Sequence, residues 1–116
     1  MPGVPLDWRS RVGLSVTAHG NSMIHRVTGE IDISTAPALR TRLQNALTAG
    51  GRLLVDLSEV TFMDARGLGV LVAVNNRARE LGGTVQLIGV PAAVGRLLKL
   101  TGLSRTLSPE PVPLCA

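Results

Sequence analysis

The sequence predicts an α/β fold with a mixed β-sheet of four to five strands and three or more helices packed mainly on one face. Short apolar runs that suit strands alternate along the chain with segments in which apolar residues recur every three or four positions, as in helices. Ahead of the first helix, two strand-like stretches flank a turn, which indicates a hairpin at one edge. The order ββαβαβα therefore predicts a parallel core sheet with right-handed crossovers.

The predicted hairpin comes first in the folded part. Leu14, Val16 and Ala18 alternate with polar residues, which is typical of a half-buried strand. The His-Gly-Asn sequence at residues 19–21 supplies turn residues, and residues 23–27 resume an extended pattern. These two stretches are expected to pair with each other.

The first helix is predicted to start near Ser34 or Thr35, because either side chain can cap a helix N-terminus. Pro37 is tolerated in a first turn. The glycine pair at residues 50–51 ends the helix. Its apolar stripe consists of Leu39, Leu43 and Leu47.

Two further strand–helix pairs complete the predicted domain. The short apolar run at residues 53–55, which ends in Asp56 and Leu57, predicts a strand covered on both faces. A helix over about residues 65–80 is apolar almost all round in its first half, so it should be deeply buried. Residues 84–88 predict the next strand, and Pro91 opens a short helix. Thr106 and Leu107 are a candidate edge strand.

The chain of 116 residues suits one domain. We expect a flexible leader at residues 1–10, the folded domain at residues 11–108 and a Pro-rich tail at residues 109–116. The N-terminus lacks the features of a signal peptide, and no apolar run approaches a membrane span. The single cysteine, Cys115, leaves no internal disulfide, and no role is assigned to it. We therefore expect a cytoplasmic protein with no membrane insertion.

Composition argues against nucleic acid as a partner. The formal net charge is +4, but the basic residues are scattered and form no block. Aromatic residues make up 2% of the chain, too few for a platform on which bases could stack. The positive net charge is compatible with a partner protein that has an acidic surface.

No residue pattern indicates catalysis, a metal or a cofactor. Gly67-Leu68-Gly69 lacks the third glycine and the acidic residue of a dinucleotide site. His19 and His25 flank a turn but have no nearby third ligand for a metal. No nucleophile elbow or acid–base constellation is visible. We expect a protein that is not an enzyme and holds no cofactor.

The segment from residue 55 to residue 71 holds the main candidate functional residues. A strand ends there and Asp64 lies at a helix N-terminus, where a carboxylate can cap free amide groups. Gly67 and Gly69 permit either close packing on the sheet or close approach of a partner's backbone. Arg66 is either a solvated charge or a contact to an acidic partner, since its forked donors suit carboxylates.

Three motifs, in order, resemble those of STAS-domain anti-sigma-factor antagonists. That family shows a Gly-Glu-Leu/Ile-Asp segment, which residues 29–32 match, and an Asp-Leu-Ser segment, which residues 56–58 match. Its signature loop, Phe-x-Asp-Ser/Thr-Ser-Gly-Leu, is matched in part by residues 62–68. The resemblance extends over roughly residues 14–107 and implies the STAS fold.

The resemblance implies a mechanism called partner switching. An unphosphorylated antagonist binds an anti-sigma factor, usually also a serine kinase, and frees the sigma factor. Phosphorylation of the serine before the loop glycine ends that binding, because it adds about −1.5 to −2 of charge. Here Arg66 occupies the serine position and Ala65 the preceding one, and neither can accept phosphate. Ser58 and Thr61 are the alternative acceptors. We expect an antagonist that loop phosphorylation cannot turn off, or one whose partner differs from the usual kinase.

The expected partner-binding surface joins the signature loop and the start of its helix to the loop that ends the Gly-Glu-Ile-Asp motif. Its residues are Asp32, Ser34, Thr35, Asp64, Ala65, Arg66, Gly67, Leu68, Gly69 and Leu71. We expect a monomer or a weak homodimer. Two alternatives stay open: an accessory STAS subunit of a transporter ATPase, and a STAS domain that senses a small ligand.

Overall fold

The computed structural model describes residues 4–5, 12–20 and 22–103. Two residues of the predicted leader form a short strand, whereas the candidate edge strand at residues 106–107 and the predicted tail lie outside the described residues. The elements in chain order are β1 (Val4–Pro5), β2 (Val12–His19), β3 (Ser22–Ile31), α1 (Ala36–Asn45), β4 (Arg52–Met63), α2 (Ala65–Glu80), β5 (Thr84–Ile88) and α3 (Ala92–Leu100).

The five strands form one sheet in the order β1-β2-β3-β4-β5. The pairs β1–β2 and β2–β3 are antiparallel, and the pairs β3–β4 and β4–β5 are parallel. Gly20 lies in the turn between β2 and β3 with a φ of +62°, a conformation that glycine adopts without steric cost. The predicted mixed sheet and edge hairpin are therefore confirmed.

The helices pack on one face of the sheet. Buried residues of all three helices form a single cluster with strand side chains, to which β4 contributes Leu53, Val55, Leu57 and Val60. The opposite face carries a separate cluster of Ile24, Leu54 and Ile88. Residues 53–57 are all buried, which confirms that this strand is covered on both faces.

Strand β4 is longer than the sequence pattern predicts. It continues beyond Leu57 to Met63, because β3 also runs on and pairs Ile31 with Met63 after two register shifts. The neighbour on the other side, β5, ends its pairing at Asp56 with Ile88. Among the described strands, the second half of β4 therefore borders β3 alone, and its mixture of polar and apolar residues reflects that partial cover.

No helix within the described ranges combines the length and the apolar character that crossing a membrane requires.

Candidate functional site

The two predicted loop segments meet at one end of the sheet. Strands β3 and β4 are parallel and end side by side at Ile31 and Met63. Helices α1 and α2 begin within a few residues of these ends. The backbone N–H of Asp64 donates a hydrogen bond to the Ile31 carbonyl, with an N–O distance of 3.3 Å. Residues 32–35 and the start of α2 are thus neighbours, as the family resemblance implies.

The loop before α1 is held by its own side chains. Asp32 Oδ1 accepts hydrogen bonds from the N–H and the hydroxyl of Ser34, at 2.9 and 2.7 Å, and from the N–H of Thr35 at 3.2 Å. The Thr35 hydroxyl donates to the Glu30 carbonyl at 2.8 Å and accepts from the Asp32 N–H at 2.9 Å. This network leaves Ile33 pointing outward, with 64% of its surface exposed.

Thr35 occupies the N-cap position of α1, but its side chain makes no capping hydrogen bond to the helix. The prediction that the side chain of Ser34 or Thr35 caps this helix is therefore wrong. The Thr35 hydroxyl is used instead to tie the loop back to the end of β3, and the residue is only 2% exposed. Its role is to position the loop.

Asp64 caps α2, as predicted. Its Oδ1 accepts hydrogen bonds from the backbone N–H groups of Arg66, at 2.9 Å, and Gly67, at 3.3 Å. These amides have no partner within the helix, so the carboxylate stabilises the N-terminus. The cap fixes the direction in which α2 leaves the sheet, and it places Ala65 and Arg66 at the exposed surface.

The two glycines of the signature loop have different environments. A Cβ atom added to Gly67 would lie 2.5 Å from Met63 Cγ and 3.0 Å from Ile31 Cγ2, so this glycine allows α2 to pack on the strand ends. A Cβ atom added to Gly69 would meet nothing within 4 Å. Of the two predicted roles, close packing applies to Gly67, whereas Gly69 is open to an approaching molecule.

A cleft of about 520 Å³ lies between the first halves of α1 and α2. We call it the Arg40–Arg66 cleft. On the α1 side its residues follow helical spacing, and on the α2 side they occupy two successive turns. The lining residues are Ile33, Ala36, Pro37, Arg40, Thr41, Ala65, Arg66, Gly69 and Val70.

The predicted surface residues divide into three groups around this cleft. Ala65, Arg66 and Gly69 line it and are exposed, and Ser34 is exposed on the adjoining loop. Asp32 and Asp64 are partly buried and hold the loop and the helix start through the hydrogen bonds given above. The others are buried and support the cleft from beneath: Thr35, Gly67, Leu68 and Leu71.

The α1 side of the cleft was not predicted. The sequence does contain the i, i+3, i+4, i+7, i+8 spacing that is typical of one helix face. The residues with this spacing are Ile33, Ala36, Pro37, Arg40 and Thr41. It is a weak signal, because such a mixed face is equally typical of a helix surface turned toward solvent.

The charge of the cleft is positive. Arg40 and Arg66 are both exposed, and neither guanidinium forms an ion pair or a hydrogen bond within the described part of the chain. None of the described residues that line the cleft is acidic. Arg66 lies in the first turn of α2, where the helix dipole disfavours a cation by about 0.3–1 kcal/mol. Folding stability therefore does not explain this arginine.

The Asp-Leu-Ser motif serves the sheet and lies outside the cleft. Asp56 is 7% exposed; its Oδ2 pairs with Arg26 Nε at 3.0 Å, and its Oδ1 accepts from the Ser58 N–H at 2.8 Å. Burial raises the pKa of Asp56, but the hydrogen bonds from Ser58 and then the interactions with Arg26 outweigh it and hold the pKa below its usual value. A Cβ atom at Gly89 would lie 2.6 Å from Asp56 Oδ1, so only glycine fits there.

Ser58 and Thr61, the alternative phosphate acceptors, are exposed on β4. Neither of them lines the Arg40–Arg66 cleft. A phosphate on either residue would therefore alter a different part of the surface.

The fold and the site define a small α/β domain with an open, helix-flanked cleft. A protein-family model described as "Mlab, STAS domain" matches residues 14–109. The chain belongs to the STAS-domain family, which confirms the resemblance seen in the sequence motifs.

The curated relatives and solved structures similar to this chain include anti-sigma factor antagonists. The chain is 33% identical over 92 residues to the anti-sigma-B factor antagonist of Bacillus subtilis, covering 79% of this chain and 84% of that protein. It is 39% identical over 79 residues to the anti-sigma-B factor antagonist of Listeria monocytogenes, covering 67% and 69%. The crystal structure of an anti-sigma factor antagonist from Mycobacterium paratuberculosis superposes with a TM-score of 0.75 at 28% identity, covering 97% of this chain and 92% of that one.

Proposed function

We propose that this protein is an anti-sigma factor antagonist that binds an anti-sigma factor through the Arg40–Arg66 cleft and so regulates sigma-factor-dependent transcription. The observation that carries the proposal is that two exposed arginines, Arg40 from α1 and Arg66 from the start of α2, line one cleft next to the two motif loops. The names of the curated relatives, anti-sigma-B factor antagonists, support the choice of partner class. The protein acts by binding, as a cytoplasmic monomer or weak homodimer, and not by catalysis.

We propose further that the usual loop switch is absent. Side chains that accept phosphate in such a switch carry a hydroxyl group, and residues 64–68 contain none. Arg66 puts a permanent positive charge at the place where the resembling family gains a negative one. Binding by this protein is therefore independent of phosphorylation at that loop.

The test of this function is a binding and phosphorylation assay with a panel of anti-sigma factors that have kinase activity. The wild-type protein is expected to bind at least one member, and ATP is not expected to release it. Arg66→Ser introduces a hydroxyl at an exposed position, so phosphorylation and an ATP-dependent loss of binding are expected in this variant. Its own binding without ATP is the reference, because the substitution also removes the guanidinium. Mass spectrometry locates any phosphate.

Three results would contradict parts of the proposal. Failure of the wild-type protein to bind any member of the panel would exclude the antagonist function. Phosphate on residues 64–68 of the wild-type protein would contradict the sequence itself. Phosphate on Ser58 or Thr61 together with release would show that the switch is relocated, and the claim of phosphorylation-independent binding would then be wrong.

A transporter ATPase is the second candidate partner. The lack of a hydroxyl group at residues 65 and 66 favours it, because an accessory subunit has no need of a phosphorylation switch. Affinity purification from the native host separates the two candidates. An ATPase subunit as the retained protein supports the accessory role, and an anti-sigma factor supports the antagonist role. A small-ligand sensor would instead show a rise in thermal stability in a ligand screen.

A further inference from the structure

We propose that the segment of the partner that occupies the Arg40–Arg66 cleft is acidic and amphipathic: it places an apolar side chain on the floor of the cleft and carboxylates against both arginines. This inference rests on the proposed function and specifies the chemistry of the partner. It rests on the charge and the shape of the cleft, which are independent observations.

Arg40 and Arg66 differ from the other arginines in where they lie. Arg26 pairs with Asp56 and Arg77 pairs with Glu80, each at 3.0 Å, whereas Arg42, Arg79 and Arg96 have no ion pair among the described residues and do not line the cleft. Arg40 and Arg66 face one cleft from two different helices, and no described acidic residue lines that cleft. Two cations in one cleft repel each other, and a carboxylate placed between or beside them relieves that repulsion. The planar guanidinium fork also matches a carboxylate with two parallel hydrogen bonds.

The floor of the cleft is apolar, because the two buried residues of its lining are Ala36 and Val70. A Cβ atom added to Gly69 would meet nothing within 4 Å, so another backbone has room to approach there. Ile33 stands at the rim with 64% of its surface exposed, so it can cover an apolar side chain that enters. An extended polyanion such as nucleic acid would gain nothing from this apolar floor. A protein segment with one apolar side and acidic residues beside it uses both features.

The experiment titrates the wild-type protein with the anti-sigma factor that binds in the assay above, at low and at high salt. Arg40→Glu and Arg66→Glu reverse one charge each, at exposed positions. Arg79→Glu is the matched control, because Arg79 is exposed near the far end of α2 and does not line the cleft. Thermal unfolding of each variant checks that the fold is retained.

Arg40→Glu and Arg66→Glu should each lower the affinity by about 10-fold or more, in the range measured for close charge pairs across interfaces. The control should change affinity by less than about 3-fold, as expected of a distant surface charge that acts only through screened interactions. Wild-type affinity should fall as salt rises, and Arg66→Glu should lose most of that salt dependence. Arg66→Lys keeps the charge without the fork, so its affinity should lie between those of the wild type and Arg66→Glu.

Two outcomes separate this inference from the function on which it rests. If the anti-sigma factor binds but Arg40→Glu and Arg66→Glu behave like Arg79→Glu, the acidic-segment inference is wrong and the antagonist function stands. If the wild-type protein binds no anti-sigma factor in the panel, the proposed function is wrong, and the inference about its partner is overturned with it. Strong competition by a nucleic-acid polyanion at the cleft would also contradict a protein occupant.

Discussion

The sheet carries a cleft at each end, and the two clefts differ in chemistry more than in size. The Arg40–Arg66 cleft measures about 520 Å³ and a second one about 530 Å³. The second lies where β3 and β4 begin and α1 has ended. Its lining residues are Val16, Met23, His25, Ala46, Thr48, Arg52 and Leu53. Volume alone therefore does not identify the functional end of this molecule.

The second cleft is built mainly from strand side chains. Val16 and Met23 are about half exposed at its rim, and His25 is partly buried between them and the core. The His25 Nδ1 atom is buried and has no hydrogen-bond partner of good geometry among the described residues. At the Arg40–Arg66 cleft, Asp64 instead caps the start of α2, and two exposed cations line the cleft. The Arg40–Arg66 cleft therefore presents cations from two helices, whereas the second cleft combines the exposed Arg52 with a histidine whose burial disfavours its charged form.

The largest expected effect comes from the inner wall of the Arg40–Arg66 cleft. Gly67→Ala would push a methyl group into Met63 and the fully buried Ile31, so the free energy of unfolding should fall by about 1–3 kcal/mol, as for other overpacked cores. Gly69→Ala meets no atom and should raise the free energy of unfolding by up to about 1 kcal/mol, because alanine favours the helix. Urea unfolding of the two variants measures both changes.

The two glycine substitutions are expected to change the free energy of unfolding in opposite directions, and this difference is what the comparison tests. Equal destabilisation by both substitutions would mean that Gly69 also packs against something, and the cleft would then not be open. Equal stabilisation would mean that α2 does not rest on the strand ends through Gly67. Either result would remove the contrast between a packed inner wall and an open floor.

The pH dependence of the free energy of unfolding tests the environment of His25 in the second cleft. Burial lowers the pKa of His25 from 6.5, and interactions with the backbone of Leu54 and then Met23 offset part of that effect. The unfolded chain therefore takes up a proton near pH 6.5, whereas the folded chain resists it. The contribution of His25 to stability is complete above pH 6.5 and is lost as pH falls from 6.5 through the folded-state pKa.

His25→Gln keeps a polar side chain without a titrating ring, so it should remove this pH dependence. The measurement is the free energy of unfolding of both proteins at several pH values between 5 and 8. The difference between the two proteins should be constant above pH 7 and should change below 6.5, with the wild type losing stability faster. Parallel curves over the whole range would show that His25 protonates equally well in the folded and unfolded chains.

The elements that sequence reasoning found are those fixed by local periodicity and local capping. The alternation from Leu14 to Ala18 and the cap at Asp64 depend on residues close together in the chain, so they were predicted correctly. The end of β4 was not, because it depends on the pairing of Met63 with Ile31 across two register shifts. No pattern within residues 58–63 alone contains that information.

The predicted site took neighbouring residues of each motif together, and the structure separates them by helix face. Leu68 ends the signature loop and Leu71 lies three residues further on, but α2 turns both of them into the core. Arg40 lies far away in the sequence, but packing of α1 beside α2 puts it across the cleft from Arg66. The helical spacing of each half is visible in the sequence, whereas the fact that the two halves oppose each other requires the tertiary structure.

The smallest expected effect on stability concerns Arg66, and it sharpens the contrast between folding and binding. Arg66→Glu exchanges a cation for an anion in the first turn of α2, where the helix dipole favours negative charge, so the free energy of unfolding should rise by about 0.3–1 kcal/mol. Arg40→Glu lies beyond the first turn of α1 and should stay within about 0.5 kcal/mol of the wild type. Urea unfolding at low salt measures both. A variant that is more stable and yet binds its partner more weakly would mean that Arg66 is kept for the partner; a fall in stability for Arg66→Glu would mean that this arginine supports the fold, and the contrast between the two ends of the sheet would lose its main support.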